Sequence, residues 1–307
     1  MGARNLRRAD PRTASIGFAM VDVSNPFFSS ILRGLEEVAR QHDYLVLSGS
    51  SDGDPARQDQ LIETFIARRV DGLVVVPSSE ELGPISSEIL RGMPVVFVDC
   101  EPNAHLSDLV RSDHLGGTVA ITEHLIAHGH RRLAFLGDDP RIFSATLRLE
   151  GFRKAVASAG LVTPDEWVLT GHFTPNEWCG RICEWMESLQ ERPTAIVAAQ
   201  NFVTIGAVQA LRRLGAHRET ALVGFDDFTL SDAVEPAITV MPQQPYELGR
   251  CAGDLLFRRL AGSTEPPHRR ILYSDIIVRG SGELPARHAQ ADIRTPDGSA
   301  QGSGVTR

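Results

Sequence analysis

Three aspartates, Asp22, Asp99 and Asp226, each come directly after an apolar run short enough to be a buried strand. A strand that ends in a polar loop and then a helix puts such side chains at the carboxyl edge of a parallel sheet, where open α/β folds bind ligands. Arg148 falls in the first turns of a helix read from Ser144 to Ala159 and points toward the same edge. Fixed carboxylate, amide and guanidinium groups in a mostly apolar crevice suit a hydroxyl-rich ligand. No spacing pairs a nucleophile with a base, and no GxGxxG, GxxxxGK[ST] or HExxH occurs, so no enzyme, cofactor or metal is expected. Cys100, Cys179, Cys183 and Cys251 form no CxxC pair and read as packed free thiols.

The elements that hold these groups follow from periodicity. Ile16 to Val21 is a near-continuous apolar run, the mark of a strand buried on both faces. Asp22 to Asn25 is its outgoing loop, Pro26 suits a first helical turn, and Ile31, Leu35 and Val38 keep an apolar stripe. This places Asp22, Ser24, Asn25 and Phe27 at the sheet edge. Strands are further expected at 44–48, 70–76 and 94–98, with helices at about 55–69 and 85–90 between them. A helix from Asp113 to about His128 opens a second series, with strands at 132–136, 168–170, 195–198 and 221–224. A short strand at 238–240, a helix at 246–260 and a last strand at 270–278 end the ordered part. Strands alternating with helices at this spacing predict an α/β fold of two doubly wound parallel-sheet lobes around a ligand cleft.

The 307 residues, 42% hydrophobic and 23% charged, also suit two lobes better than one core. The expected division is a linker over 1–13, one lobe from 14–112 plus 243–271, another from 113–242 plus 272–282, and a disordered tail over 283–307. No apolar run of membrane-spanning length occurs, and the first residues carry no apolar export segment, so a cytoplasmic protein is expected. The net charge of −8 argues against the folded body itself being a nucleic-acid surface, although Arg4, Arg7, Arg8 and Arg12 make the start basic.

An ordered set of short motifs narrows the reading: Asp22-Val23-Ser24-Asn25-Pro26-Phe27-Phe28, Arg69-Val70-Asp71-Gly72-Leu73, Gly129-His130-Arg131-Arg132, Leu149-Glu150-Gly151-Phe152, Val223-Gly224-Phe225-Asp226-Asp227 and Val278-Arg279-Gly280-Ser281. In this order they resemble the effector-binding core of the LacI/GalR family of transcription regulators, over residues 14–281, whose core is like a type I periplasmic sugar-binding protein. The resemblance implies a homodimer that binds a small effector, a sugar or related metabolite, between its lobes to control operator affinity. It assigns ligand contacts to the positions of Asp99, Arg148, Asp226 and Gln243, with Phe27 and Phe173 as aromatic walls. It also makes Arg4, Leu6 and Arg7 the end of a hinge helix that meets the DNA minor groove. A recognition headpiece is not part of this chain on this reading, so operator DNA would be bound only through that absent piece.

Two departures from the family pattern bear on the ligand. Ala199-Gln200-Asn201 stands where Ala-Asn-Asp is usual, and Asp113-His114 replaces a frequent Asp-Asn pair. Gln200 can still donate and accept hydrogen bonds, so it stays a candidate ligand residue. Plainer roles remain open for others: helix capping for Asp22, Asn25 and Asp227, an ion pair with Glu150 for Arg148, core packing for Phe27, and helix N-terminal packing for His114. A sugar-binding protein of a transport system is the alternative function, since it would have the same core.

Overall fold

The computed structural model describes residues 13–79, 81, 83–101 and 107–286. Arg4, Leu6 and Arg7, the expected hinge contacts, lie outside them. The first series is β1 (Ser15–Met20), α1 (Pro26–Gln41), β2 (Leu45–Ser50), α2 (Pro55–Ala67), β3 (Gly72–Val75), α3 (Pro84–Leu90), β4 (Val95–Val98) and β5 (Asp108–Ser112). The second is α4 (His114–Ala127), β6 (Leu133–Gly137), α5 (Phe143–Ser158), β7 (Val168–Thr170), α6 (Pro175–Ser188), β8 (Ala195–Ala198), α7 (Asn201–Arg213), β9 (Ala221–Phe225) and β10 (Thr239–Met241). The chain then returns through α8 (Pro245–Leu260) to β11 (Arg269–Leu272).

These strands form two sheets, ordered β11-β5-β4-β3-β1-β2 and β10-β9-β8-β6-β7, with every strand pair parallel. The helices begin where their caps dictate. Asn25 and Asp54 accept hydrogen bonds from Phe27 N and Ala56 N ahead of a proline, and Thr174 with Glu177 closes a capping box. The chain passes between lobes three times, near Ser112–Asp113, Pro242–Gln244 and Leu272–Ser274.

Two strands differ from expectation. The sequence pattern left 108–112 outside any strand, because Asp108, Arg111 and Ser112 break its apolar run. The structure makes it β5, with Asp108 only 1% exposed and its carboxylate accepting from Arg259 Nε at 2.7 Å and His268 N at 2.7 Å. A buried acid is tolerable because a guanidinium from α8 and a backbone amide satisfy it. The expected strand 270–278 is cut short at Leu272: the chain leaves the first sheet there, and Ile277 bridges to Val240 of the second.

The first lobe is sealed where α1 crosses α8. Ile31, Leu35 and Val38 meet Leu248, Ala252 and Leu255 in one buried cluster. The helices come so close because glycines face each backbone: a Cβ on Gly34 would lie 2.1 Å from Tyr246 O, and one on Gly249 would lie 2.0 Å from Ile31 O.

The start of the expected disordered tail is instead tied down. The Glu283 carboxylate accepts from Gly280 N at 2.7 Å and Thr239 Oγ1 at 2.9 Å, and Leu284 O accepts from His130 Nε2 at 2.9 Å. A polar composition hid these bonds, since their partners sit more than a hundred residues earlier in the case of His130. Burial pushes the His130 imidazole below its ordinary value, so the fold favours the neutral ring. The unfolded chain then takes up a proton that the folded chain resists, and stability falls as pH drops below about 6.5. Urea unfolding from pH 7.5 to 5.5 should show a shallower loss for His130→Asn than for the native chain. Equal slopes would show that His130 does not carry this pH dependence.

Candidate functional site

Asp99 follows β4 in one lobe and Asp226 follows β9 in the other, and both sit in left-handed backbone, at φ 61° and 73°. Aspartate tolerates that region better than most residues, yet such strain is usually retained for a purpose at ligand sites. Both side chains are buried, as is Arg148 in the second turn of α5. Arg148 Nη1 donates to Ala199 O at 2.7 Å and lies 3.9 Å from Asp226 Oδ2. Its guanidinium carbon stands 4.1 Å from the centre of the Phe225 ring, in cation–π contact.

His114, the first residue of α4, is fully buried at the middle of this group. Its Nδ1 lies 3.4 Å from Arg148 Nε and 3.3 Å from Arg148 Nη2. A guanidinium only donates, so Nδ1 accepts and the imidazole proton is assigned to Nε2. That nitrogen is 2.9 Å from Asp99 Oδ1 but not aligned with it, so both atoms keep unmet hydrogen-bonding capacity. Gln243 Nε2 donates to Asp226 Oδ1, while Gln243 Oε1 is buried without a partner. Three unmet polar atoms therefore converge beside a carboxylate, a guanidinium and an aromatic ring. Hydroxyl groups, which both donate and accept, are the chemistry that would satisfy them.

Burial raises the Asp226 carboxyl above its ordinary range; Arg148 and the Gln243 hydrogen bond oppose the shift, and the Asp99 carboxylate reinforces it. Burial thus opposes ionisation of this acid, which is a cost to the fold.

The other expected contacts are placed differently. Asn25 Oδ1 caps α1 through Phe27 N and also accepts from Asn201 Nδ2 at 2.9 Å, while Asn25 Nδ2 donates to Asn201 Oδ1 at 3.3 Å. Its amide is spent on capping and on a reciprocal bond across the lobes, not held out to a ligand. An aspartate at 201 could only accept, so the departure from the usual family residue is what allows both bonds. Gln200 Oε1 caps α7 through Phe202 N and Val203 N. Asp22 Oδ1 accepts from Ser24 N and Ser24 Oγ, a local turn bond. Phe27 is core, edge-on to Phe28 at 5.1 Å. Phe173 packs against Trp178 at 5.2 Å, with Arg181 over its ring at 4.8 Å. Asp227 is a structural knot that binds Phe228 N, Ser231 Oγ and Arg279. So Asp99, Arg148, Asp226 and Gln243 come together, and Asp22, Asn25, Phe27, Phe173 and Gln200 do not join them in hydrogen bonds.

The sequence reading missed two members. His114 is expected from sequence to pack at a helix N-terminus, although the departure of Asp113-His114 from the usual Asp-Asn pair already marks the position as one that bears on the ligand. Phe225 joins the cluster through its ring face, which lies under the Arg148 guanidinium, and its place directly before Asp226 was the available signal. The run Gly49-Ser50-Ser51-Asp52-Gly53 has nucleophile-elbow spacing, but Ser51 Oγ is bonded to Met20 O and Ser78 Oγ. Among the described residues no cluster of three or more His, Cys, Asp or Glu could hold a metal, and no helix is long and apolar enough to cross a membrane.

Comparison with known proteins agrees with this geometry. Residues 122–282 match the model of the periplasmic binding protein-like domain. The chain is 32% identical to the ribose operon repressor of Escherichia coli K12 over 277 residues, covering 88% of this chain and 82% of that protein. It is 27% identical to the HTH-type transcriptional repressor CytR of the same strain over 282 residues, covering 91% of this chain and 81% of that one. A LacI family regulator from Enterococcus faecium, solved with bound ribose, shares the fold with a TM-score of 0.76 and 24% identity, covering 89% of this chain and 98% of that one.

Proposed function

Because the chain belongs to the LacI family of transcription regulators, whose periplasmic-binding-protein-like core it carries, we propose that it senses a neutral sugar held by Asp99, His114, Arg148, Asp226 and Gln243. The observation that carries this reading is the buried set of Asp99 Oδ1, His114 Nε2 and Gln243 Oε1, none of which has an aligned hydrogen bond although the first two lie 2.9 Å apart, in the cluster that holds Arg148. Ring hydroxyls would bond them, and the Phe225 ring face would bear the Arg148 plane rather than the sugar. One guanidinium against two carboxylates leaves no surplus positive charge, which disfavours a sugar phosphate. The ribose operon repressor among its relatives and the ribose bound to its structural neighbour make D-ribose the first compound to try.

In this reading a cytoplasmic homodimer acts as a repressor and not as an enzyme. Effector binding closes the lobes, and the change carries across a two-fold axis to the DNA-binding elements. Coupling requires that the sugar favour one lobe arrangement, as it would by bonding Asp99 of one lobe and Asp226 of the other. Relatedness to repressors over most of their length favours this over a transport role.

Thermal unfolding against D-ribose, other monosaccharides, cellobiose and D-ribose 5-phosphate tests it. A ligand at about a hundred times its dissociation constant adds about 2.7 kcal/mol, roughly 5 °C in midpoint for a chain of this size. One neutral sugar should produce that shift. A shift from the phosphate ester alone would overturn the ligand class.

A further inference from the structure

The three crossings between the lobes do not pack flush. Between them and the first turns of α4 lies a crevice of about 160 Å³, distinct from the cluster around Arg148. Its walls take one stretch from each crossing, Ser112 and Asp113, Met241 and Pro242, and Leu272 to Ser274. The floor is Gly116, Gly117 and the edge of the Phe225 ring.

Two observations point to an occupant. Ser112 is 4% exposed, lines the crevice, and its Oγ has no hydrogen-bond partner. A buried hydroxyl without a partner is costly to keep, and a ligand atom would satisfy it. The floor is set by close packing: the Phe225 ring and Met241 Cγ seat directly on Gly117, where a Cβ would stand 3.0 Å and 3.1 Å from them, so a methyl there would push both walls out of place. An apolar cavity of about 150 Å³ is large enough for benzene. The crevice is therefore of single-ring size, apolar on most sides, with one hydroxyl to be met and the Asp113 carboxylate discouraging an anion.

We propose that this crevice is a second small-molecule site, for an uncharged six-membered aromatic ring bearing one hydroxyl. Such a ligand touches all three crossings at once, so its binding stiffens the hinge on which lobe movement depends. It also borders the edge of Phe225, whose face carries Arg148. The site does not rest on the assignment of a sugar to the cleft, and it can fail or stand alone.

Phenol is the probe. With the full chain, phenol titration should shift the methyl resonance of Met241 and slow amide exchange at Tyr273 and Ser274. Ser112→Ala should weaken binding at least threefold. Gly117→Ala should abolish it, and if that variant misfolds, Ala120→Leu narrows the same crevice from the helix surface. Arg148→Met, which alters the cleft, should leave phenol binding in place. The proposal is overturned if Met241 does not respond, or if the response persists unchanged in Ser112→Ala and in the folded crevice-filling variant. A response lost in Arg148→Met but kept in those variants would place phenol in the cleft, and would equally overturn it.

Discussion

Arg148→Ala is expected to lower unfolding free energy by about 3–5 kcal/mol at pH 7.5 and to abolish any sugar-dependent thermal shift. The guanidinium is buried between Asp226 and His114 and is bonded to Ala199 O, so its removal leaves the buried Asp226 carboxylate without its cation. The loss should itself depend on pH. Burial already raises the Asp226 carboxyl, with Arg148 the largest influence in the other direction. Without Arg148 the folded carboxyl binds its proton more tightly still, above its unfolded value. Folding then takes up a proton, and the variant recovers stability as pH falls. Urea unfolding at pH 7.5 and pH 5 measures both effects. A loss below about 1 kcal/mol, or one equal at the two pH values, would mean that the cation does not hold the site.

Gly249→Ala should cost about 3 kcal/mol or more, although it adds a single methyl group. That methyl would be placed 2.0 Å from Ile31 O, a backbone atom that cannot rotate away, so α1 and α8 must separate. Gly34→Ala meets Tyr246 O at 2.1 Å and should behave alike. The contrast is Gly180, inside α6, whose added Cβ would meet nothing within 4 Å. There alanine should stabilise by about 0.5–1 kcal/mol, since it suits a helix better than glycine. Chemical denaturation of all three variants decides the matter. Similar midpoints would show that the helices tolerate a wider spacing than their packing implies.

Much of this architecture was readable from residue order, because strand runs, proline starts and Asx caps are local signals. β5 was not, since the acid that breaks its apolar pattern is neutralised by Arg259, 151 residues away. The same limit governs the site. Asp99 and Asp226 end apolar runs, and their edge position follows from that alone. Which aromatic ring faces them does not, because strand-edge geometry says nothing of χ angles or of what a neighbouring lobe presents. Phe27 turns into its own core, and the ring that meets Arg148 is Phe225. Asn25 shows the deeper difficulty: one amide caps a helix and reaches Asn201 in the other lobe, and only the second role depends on the assembled cleft.

The close seat of α8 on α1 has a consequence for how the chain is made. α1 exposes Ile31, Leu35 and Val38 as soon as it leaves the ribosome, yet their cover, Leu248 to Leu255, is translated about two hundred residues later. At 5–20 residues per second, that interval lasts roughly 10 to 40 seconds. Through it the nascent first lobe carries an uncovered apolar stripe, while β6 to β9 can already pair with one another. The first lobe cannot seal its core until α8 arrives, and the second is completed later still, when Ile277, Ser281 and Glu283 reach Val240, Leu222 and Thr239.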